Sequence, residues 1–257
     1  MIYSELFKYG FLAGALVDIG KSRTSNQDEV ILCPELGFYA VSDGMGGLMN
    51  GGKTSQMIKQ ILPEMIKSAS SDLMKKSSPK TAANLLKQQI RLISDTIYET
   101  GNKGHRFTFG ATLSGVWLVG NHALFVNLGD SRGYLLRRYQ RNIEQVTTDH
   151  NVAALLVARG EITKEEARSH PSSSSLTRFA GMEAPAAPEV FIRKVHPGDR
   201  ILLCSDGMHG MMNDSVLLPI MRSIQSPVHV CERLIEKANA NGGRDNISVV
   251  YIKVVKK

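Results

Sequence analysis

The apolar positions of this chain follow two rhythms. Residues 12–21 and 29–33 are short apolar runs bounded by polar turns and predict strands; residues 37–42 predict a third strand that stops at Asp43. Then the period lengthens. Met57, Ile58, Ile61, Leu62, Met65 and Ile66 recur at helical spacing, with Pro63 expected to kink or end that helix. After a serine- and lysine-rich linker, Ser78-Pro79 opens a second helix, with serine as N-cap and proline in the first turn. Ala82, Leu86, Ile90, Ile93 and Ile97 line its buried face, and Gly101 is the expected stop.

From Gly110 the strand rhythm returns. Residues 111–119 and 123–128 are joined by Gly120-Asn121, a two-residue hairpin signal, and residues 133–138 and 143–147 read as another hairpin. These strands are apolar almost throughout, so both faces should be covered. No helix separates them, so the sheet is antiparallel. A short helix over 151–159 ends at Gly160, and Thr163-Lys164-Glu165-Glu166 has the spacing of a capping box. His170-Pro171 and Ser172–Ser175 then form a loop. Strands at 190–195 and 200–204 flank Pro197-Gly198, a helix runs from Ser226-Pro227 to about Ala240, and 247–255 is the last strand. No repeat or linker divides the chain, so residues 1–257 are expected to form a single α+β domain.

Composition narrows the classes. The net charge of +7 admits nucleic acid, but the basic residues are dispersed apart from Arg137, Arg138, Arg141 and a Lys-Lys end, with no basic stripe interleaved with aromatics. Nucleic acid is therefore not expected as a partner, and acidic or phosphorylated ligands fit better. No apolar run reaches the ~18 residues of a membrane span, and residues 11–17 lack the flanks of a signal peptide. Neither a membrane partner nor export is expected. Cys33, Cys204 and Cys231 are few, odd in number and widely separated, which points to a reducing, cytoplasmic setting.

The candidate chemistry lies in four aspartates. Asp43 follows an apolar strand and precedes Gly44, Gly46 and Gly47. Asp130 and Asp206 each follow another apolar strand, and Asp245 precedes the last one. A single such aspartate is more often a turn residue. Four in the same setting can converge at one side of a sheet, where like charges repel unless protons or a cation neutralise them. Hard oxygen ligands favour magnesium or manganese over zinc. Two motifs point elsewhere. Residues 47–54 fit the phosphate-binding pattern G-x-x-x-x-G-K-[ST], with Asp206 as its conceivable acidic partner, but the neighbouring strands form hairpins rather than βαβ units. Gly129-Asp130-Ser131-Arg132-Gly133 fits a nucleophile elbow, which needs a helix where Tyr134–Arg137 continues as strand.

Eight segments in order carry a resemblance: Arg23–Asp28, Ser42–Gly47, Gly110–Leu113, Asn127–Arg132, Thr148–His150, Leu176–Arg178, Ser205–Gly207 and Gly243–Asn246. Together they resemble the bacterial metal-dependent protein phosphatases (PPM family, protein phosphatase 2C-like), over roughly residues 12–254. The resemblance implies a four-layer αββα sandwich, two antiparallel sheets packed face to face with helices outside. It also implies a site for two Mn2+ or Mg2+ ions, with a third as an open question. In that frame Asp43 bridges both ions, the Gly44 carbonyl binds one, Asp206 and Asp245 bind the other, and Asp130 serves the third. Arg23 grips the substrate phosphate with its permanently charged fork. Gln27, Asp28 and Asn246 support the ligands. A water activated by the two ions attacks phosphorus in line, with no covalent phosphoenzyme. The implied activity is hydrolysis of phosphoserine and phosphothreonine in proteins phosphorylated by a serine/threonine kinase, by a monomer. The alternatives are a catalytically silent binding module of the same family and a P-loop nucleotide-binding protein.

Three positions depart from the family pattern. Gln27 stands where many relatives have glutamate, and Gly210 where some have another acid. Met45 replaces the histidine that eukaryotic relatives place in the glycine motif, and methionine transfers no proton. His150 is the candidate acid, although a lone histidine after a strand is more often structural. Residues 151–175 match the family's variable flap, a segment expected to tune substrate choice or to be a plain surface loop.

Overall fold

The computed structural model describes residues 8–46, 51–70, 78–104, 109–183 and 185–257. Among them, strands build two antiparallel sheets. One runs in the order β1 (Gly10–Asp18), β11 (Ile247–Val255), β10 (Arg200–Cys204), β7 (Arg132–Leu136) and β8 (Glu144–Gln145). The other runs β2 (Asp28–Cys33), β3 (Phe38–Met45), β5 (Leu113–Val119), β6 (His122–Leu128) and β9 (Glu189–Lys194), with β4 (Gly110–Ala111) paired to the end of β3. The helices are α1 (Gly51–Ser70), α2 (Pro79–Ile97, continued by a π-helical turn over Tyr98–Asn102), α3 (Val152–Ala158), α4 (Lys164–Arg168), α5 (Asp206–His209), α6 (Asp214–Met221) and α7 (Pro227–Ala240).

Three apolar clusters stack these elements into four layers. Ile58 and Leu62 of α1 and Leu86, Ile90 and Ile93 of α2 cover one face of the β2–β9 sheet. Leu217 and Met221 of α6 and Val230 and Leu234 of α7 cover the outer face of the β1–β8 sheet. Between the sheets, Tyr39, Val116 and Phe125 meet Leu135, Leu203, Val250 and Ile252. The αββα arrangement follows from the strand patterns: each central strand is apolar on both sides, and only a second layer on each side removes that surface from water.

The local signals that rest on caps and turns hold. Ser78 caps α2 by accepting from the Thr81 N–H, Asn151 caps α3, and Thr163 and Glu166 form a reciprocal capping box. Gly120 takes φ +60° in the β5–β6 turn, the conformation that its first central position needs.

Boundaries that depend on distant partners differ from expectation. β1 stops at Asp18 rather than Lys21, because the Asp18 carboxylate accepts the Gly20 N–H at 2.8 Å and Gly20 turns at φ +76°. β3 does not end at Ser42: Asp43 and Gly44 pair with Asp28 and Ala111, so the key carboxylate lies inside a ladder. Pro63 stays within α1 and does not end it. The 111–119 run breaks at Thr112, whose hydroxyl accepts the Asp43 N–H. The strands flanking Pro197-Gly198 lie in different sheets, so that turn is a crossing between layers. Helix α6 carried no signal strong enough to be expected. The first four residues of the phosphate-loop pattern (47–50) and linker residues 71–77 lie outside the described residues. The P-loop reading fails on topology, since β3 pairs antiparallel with both neighbours.

Candidate active site

Strand direction decides where the charges meet. β10 pairs antiparallel with both β7 and β11, so Asp130 before β7, Asp206 after β10 and Asp245 before β11 share one end of that sheet. From the other sheet, Asp28 and Asp43 arrive as direct register partners. Like charges directly opposite one another destabilise a strand pair. Asp43 feels the carboxylates of Asp28, Asp206, Asp130 and Asp245, so the five acids form one electrostatic cluster.

Burial, reinforced by this repulsion, favours the protonated acids. Asp43 is held well above the ordinary carboxylate range, first by burial and then by Asp28 and Asp206. Asp206 is raised by burial and by Asp245. Burial pushes Asp28 up to about 7 and Asp130, with help from Asp206, up to about 8. Both Asp28 oxygens and Asp206 Oδ1 are buried without a hydrogen-bond partner. The Ser205 and Ser248 hydroxyls stand near Asp28, but neither reaches bonding geometry.

Close backbone contacts hold this unfavourable cluster together. A Cβ on Gly44 would lie 2.2 Å from the Gly51 carbonyl oxygen, where β3 meets the start of α1. A Cβ on Gly207 would lie 2.0 Å from the Asn246 carbonyl oxygen, where the Asp206 turn meets the Asp245 loop. The glycines beside the aspartates are thus required by packing of one main chain on another. Asn246 joins the loops further. Its Nδ2 donates to the Ile19 and Ser25 carbonyls at 2.9 and 3.0 Å, and its Oδ1 accepts the Gln27 N–H at 2.9 Å. The Gln27 carbonyl in turn accepts from the Gly44 N–H and from Ser55 Oγ. Arg23, on the loop so anchored, reaches Asp245 at 2.7 Å and is half exposed, and this pairing raises its already high pKa.

The donor set fits hard divalent cations: buried carboxylates without partners, a single arginine, and no thiolate or imidazole facing them among the described contacts. It is not a closed cage. Among the described residues, no three acidic, histidine or cysteine side chains are grouped to hold one ion by themselves. The reason is visible in Asp245, whose Oδ2 is taken by Arg23 and Oδ1 by the Asn246 N–H.

His150 stands apart from this cluster. Its Nδ1 accepts the Gly129 N–H at 3.2 Å and its Nε2 faces Glu189 at 3.5 Å, while burial lowers its pKa. It ties the Asp130 loop to the flap base, where the Thr177 N–H also donates to the His150 carbonyl. Such partners describe a structural histidine.

Several supporting residues were not given roles by sequence reasoning. Thr112 joins Ser42, Asp43 and Ser131 through one hydroxyl and one carbonyl. Arg132 forks onto Asp149, with Nη2 at 2.7 Å from Oδ2, just after Asp130. His209, kept neutral by burial with its pKa lowered to about 3, sets Nε2 at 3.0 Å from the Asp130 carbonyl and so bridges the Asp130 and Asp206 loops. Thr112 and Arg132 sit inside the resembling segments, which could have flagged them; His209 has no local signal, because its partner is 79 residues away.

The sequence pattern of the family described as Protein phosphatase 2C matches residues 21–238. The chain is 30% identical to a putative protein phosphatase 2C-type of Streptococcus pyogenes, covering 91% of this chain and 94% of that protein. It is 34% identical to the serine/threonine protein phosphatase PstP of Mycobacterium tuberculosis, over 93% of this chain but 44% of that longer protein. A solved structure of the PstP catalytic domain in complex with two manganese ions superposes with a TM-score of 0.80 at 30% identity, covering 96% of this chain and 99% of that one.

Proposed function

The chain belongs to the protein phosphatase 2C family, and on that premise we propose that it is a metal-dependent protein serine/threonine phosphatase. The observation that carries the reading is the five-carboxylate cluster with orphaned oxygens and one exposed arginine at its rim. Asp43 and Asp206, with Asp245 and the Gly44 carbonyl, would hold two Mn2+ or Mg2+ ions, and Asp130 would contribute to a third. Bound there, the ions supply a nucleophile from water at neutral pH and positive charge for the phosphoryl oxygens.

The chain's own residues do the rest. Arg23 sits on an exposed loop, so it can exchange Asp245 for an incoming phosphate; its planar fork orients two phosphoryl oxygens and stabilises charge as it develops. Asp245, so released, would be free to hold a cation. Asp28, opposite Asp43 in the ladder, offers two unpartnered oxygens that would steady water in the site, and Asn246 keeps Arg23 and Asp245 in mutual reach. His150 is assigned no proton transfer. The leaving alkoxide must take its proton from solvent-derived water, since Met45 offers none.

The flap, residues 151–175, is pinned at its base by the Asn151–Leu176 bridge and the Val152 N–H to Ser175 carbonyl bond at 2.9 Å. Its α4 residue Arg168 approaches Asp214 at 3.7 Å. This contact with the start of α6 supports a flap that would select among phosphoprotein substrates of a serine/threonine kinase. The two sheets share one interior, and the whole chain would act as a single monomeric catalytic domain in a bacterial cytoplasm.

Hydrolysis of p-nitrophenyl phosphate and of a phosphothreonine peptide should require Mn2+ or Mg2+ and vanish in Asp206→Asn. Activity that survives EDTA would overturn the reading.

A further inference from the structure

The cations that the active site leaves unused collect at the opposite end of the same sheet. β7 ends, β10 begins and β11 ends there, which brings Arg138 and Arg141 of the β7–β8 turn beside Arg200, Lys253 and Lys256. Arg200 and Lys253 are direct register partners. Arg222, at the end of α6, joins them: its Nη2 donates to the Gln140 carbonyl at 2.6 Å, and its own carbonyl accepts from Arg200 Nη2 at 3.3 Å. Lys253 donates to the Gln225 carbonyl.

Three of these six cations, Arg200, Arg222 and Lys253, lean on main-chain oxygens. Among the described residues none of the six is within ion-pair distance of a carboxylate, whereas neighbouring Arg137 and Arg193 have Asp199 at 3.1 Å and Glu144 at 2.8 Å. Arg200 Nε is buried without an acceptor. Arg200 and Lys253 thus oppose like charges across the ladder, while the nearby carboxylates Asp199 and Glu144 are taken by Arg137 and Arg193. Two large apolar side chains project from it: Ile224 is 94% exposed and Tyr139 84%. They belong to the two loops joined by the Arg222–Gln140 bond, and the Arg138 guanidinium lies 5.0 Å from the Tyr139 ring.

We propose that this pole is a peripheral docking face for an anionic lipid surface. The arginines and lysines meet headgroup phosphates, while Tyr139 and Ile224 enter the interface between headgroups and acyl chains. A single tyrosine offers no row of stacking platforms for single-stranded nucleic acid. Separate apolar tips within a basic field suit a flat amphipathic boundary. No helix among the described residues is long and apolar enough to cross a membrane, so the contact is peripheral, and it revises the expectation of no membrane partner. Arg200 opens β10 and Asp206 follows its far end, beyond a strand roughly 15 Å long at 3.3 Å per residue, so docking leaves the acidic site facing away from the lipid.

The test is co-sedimentation of the full chain with vesicles of phosphatidylcholine, alone or mixed with phosphatidylglycerol, at low and raised salt. Binding should need phosphatidylglycerol and be lost at raised salt. The triple variant Arg138→Glu, Arg141→Glu, Lys256→Glu should weaken it about a hundredfold, and Tyr139→Ser with Ile224→Ser several-fold. All these residues are exposed, and melting temperature checks the fold of each variant. p-Nitrophenyl phosphate hydrolysis, which reads the active site separately, should stay at wild-type level throughout. No binding to the mixed vesicles at low salt, or undiminished binding by the triple variant, overturns the proposal. Capture of polyglutamate without capture of vesicles also overturns it and assigns the pole to an acidic protein.

Discussion

The two poles of the β1–β8 sheet hold opposite charges, and the same strands deliver both. At one end Asp130, Asp206 and Asp245 are pressed against Asp28 and Asp43 by backbone contacts that leave no room for a Cβ at Gly44 or Gly207. At the other end Arg138, Arg141 and Lys256 stand on exposed turns and the chain end, free to spread into water. The acidic pole stores repulsion because it is buried and rigid. At the basic pole the exposed Arg138, Arg141 and Lys256 store little because solvent screens them. A cation is therefore needed for one pole to function, while the other merely remains available to an anion.

The largest effect should come from Asp43→Asn. Losing the central carboxylate should lower phosphatase activity about a thousandfold. In EDTA the same variant should melt higher than wild type, by about 2–4 °C for each kcal/mol of repulsion removed. A drop in both quantities would mean that Asp43 supports the fold rather than straining it.

The pH dependence of the metal-free protein sharpens the contrast. Asp28 and Asp130 have folded-state values of about 7 and about 8, above those of a carboxylate in the unfolded chain. Between the unfolded and folded values the native state binds more protons, so stability falls as pH rises through that window. Melting curves in EDTA should decline from about pH 4 to pH 8, and added Mn2+ should restore most at the alkaline end, because protons no longer compete for the carboxylates. A flat profile would remove the strain from the acidic pole.

His209 tests how the acid loops are joined. Without its donor to the Asp130 carbonyl, His209→Ala should weaken binding of the most loosely held Mn2+ by about 10-fold or more. His209→Gln, which can place an amide N–H near the same point, should recover most of it. Equal titrations by calorimetry for both variants would leave His209 a packing residue only. The smallest effect is expected at the other pole, where reversing Arg138 or Arg141 should change folding stability by no more than about 0.5 kcal/mol.

Much of the fold was legible in residues close together in sequence. Ser78, Thr163 and Ser226 cap the helices they were expected to open. Limits that depend on partners far along the chain are not legible there: the local pattern ends β3 at Ser42, and nothing local shows that Asp43 pairs with Asp28. The candidate acids were legible as a repeated setting, an aspartate at a strand end beside glycine. The status of His150 was not, because burial against Gly129 and Glu189 is a property of the folded chain.

The chain by itself determined which residues could do this chemistry: four strand-end aspartates, a loop arginine, glycines beside them, and order enough to mark the family. Side-chain type and local spacing suffice for that. Tertiary structure decided what those residues are to one another. It made Asp28 and Asp43 opposite partners, gave Asp245 to Arg23, bound His150 between Gly129 and Glu189, and gathered dispersed arginines and lysines at one pole. Hydrogen bonds need contact, and electrostatic coupling fades over a Debye length of about 10 Å. Only folding brings groups separated by a hundred or two hundred residues within that range.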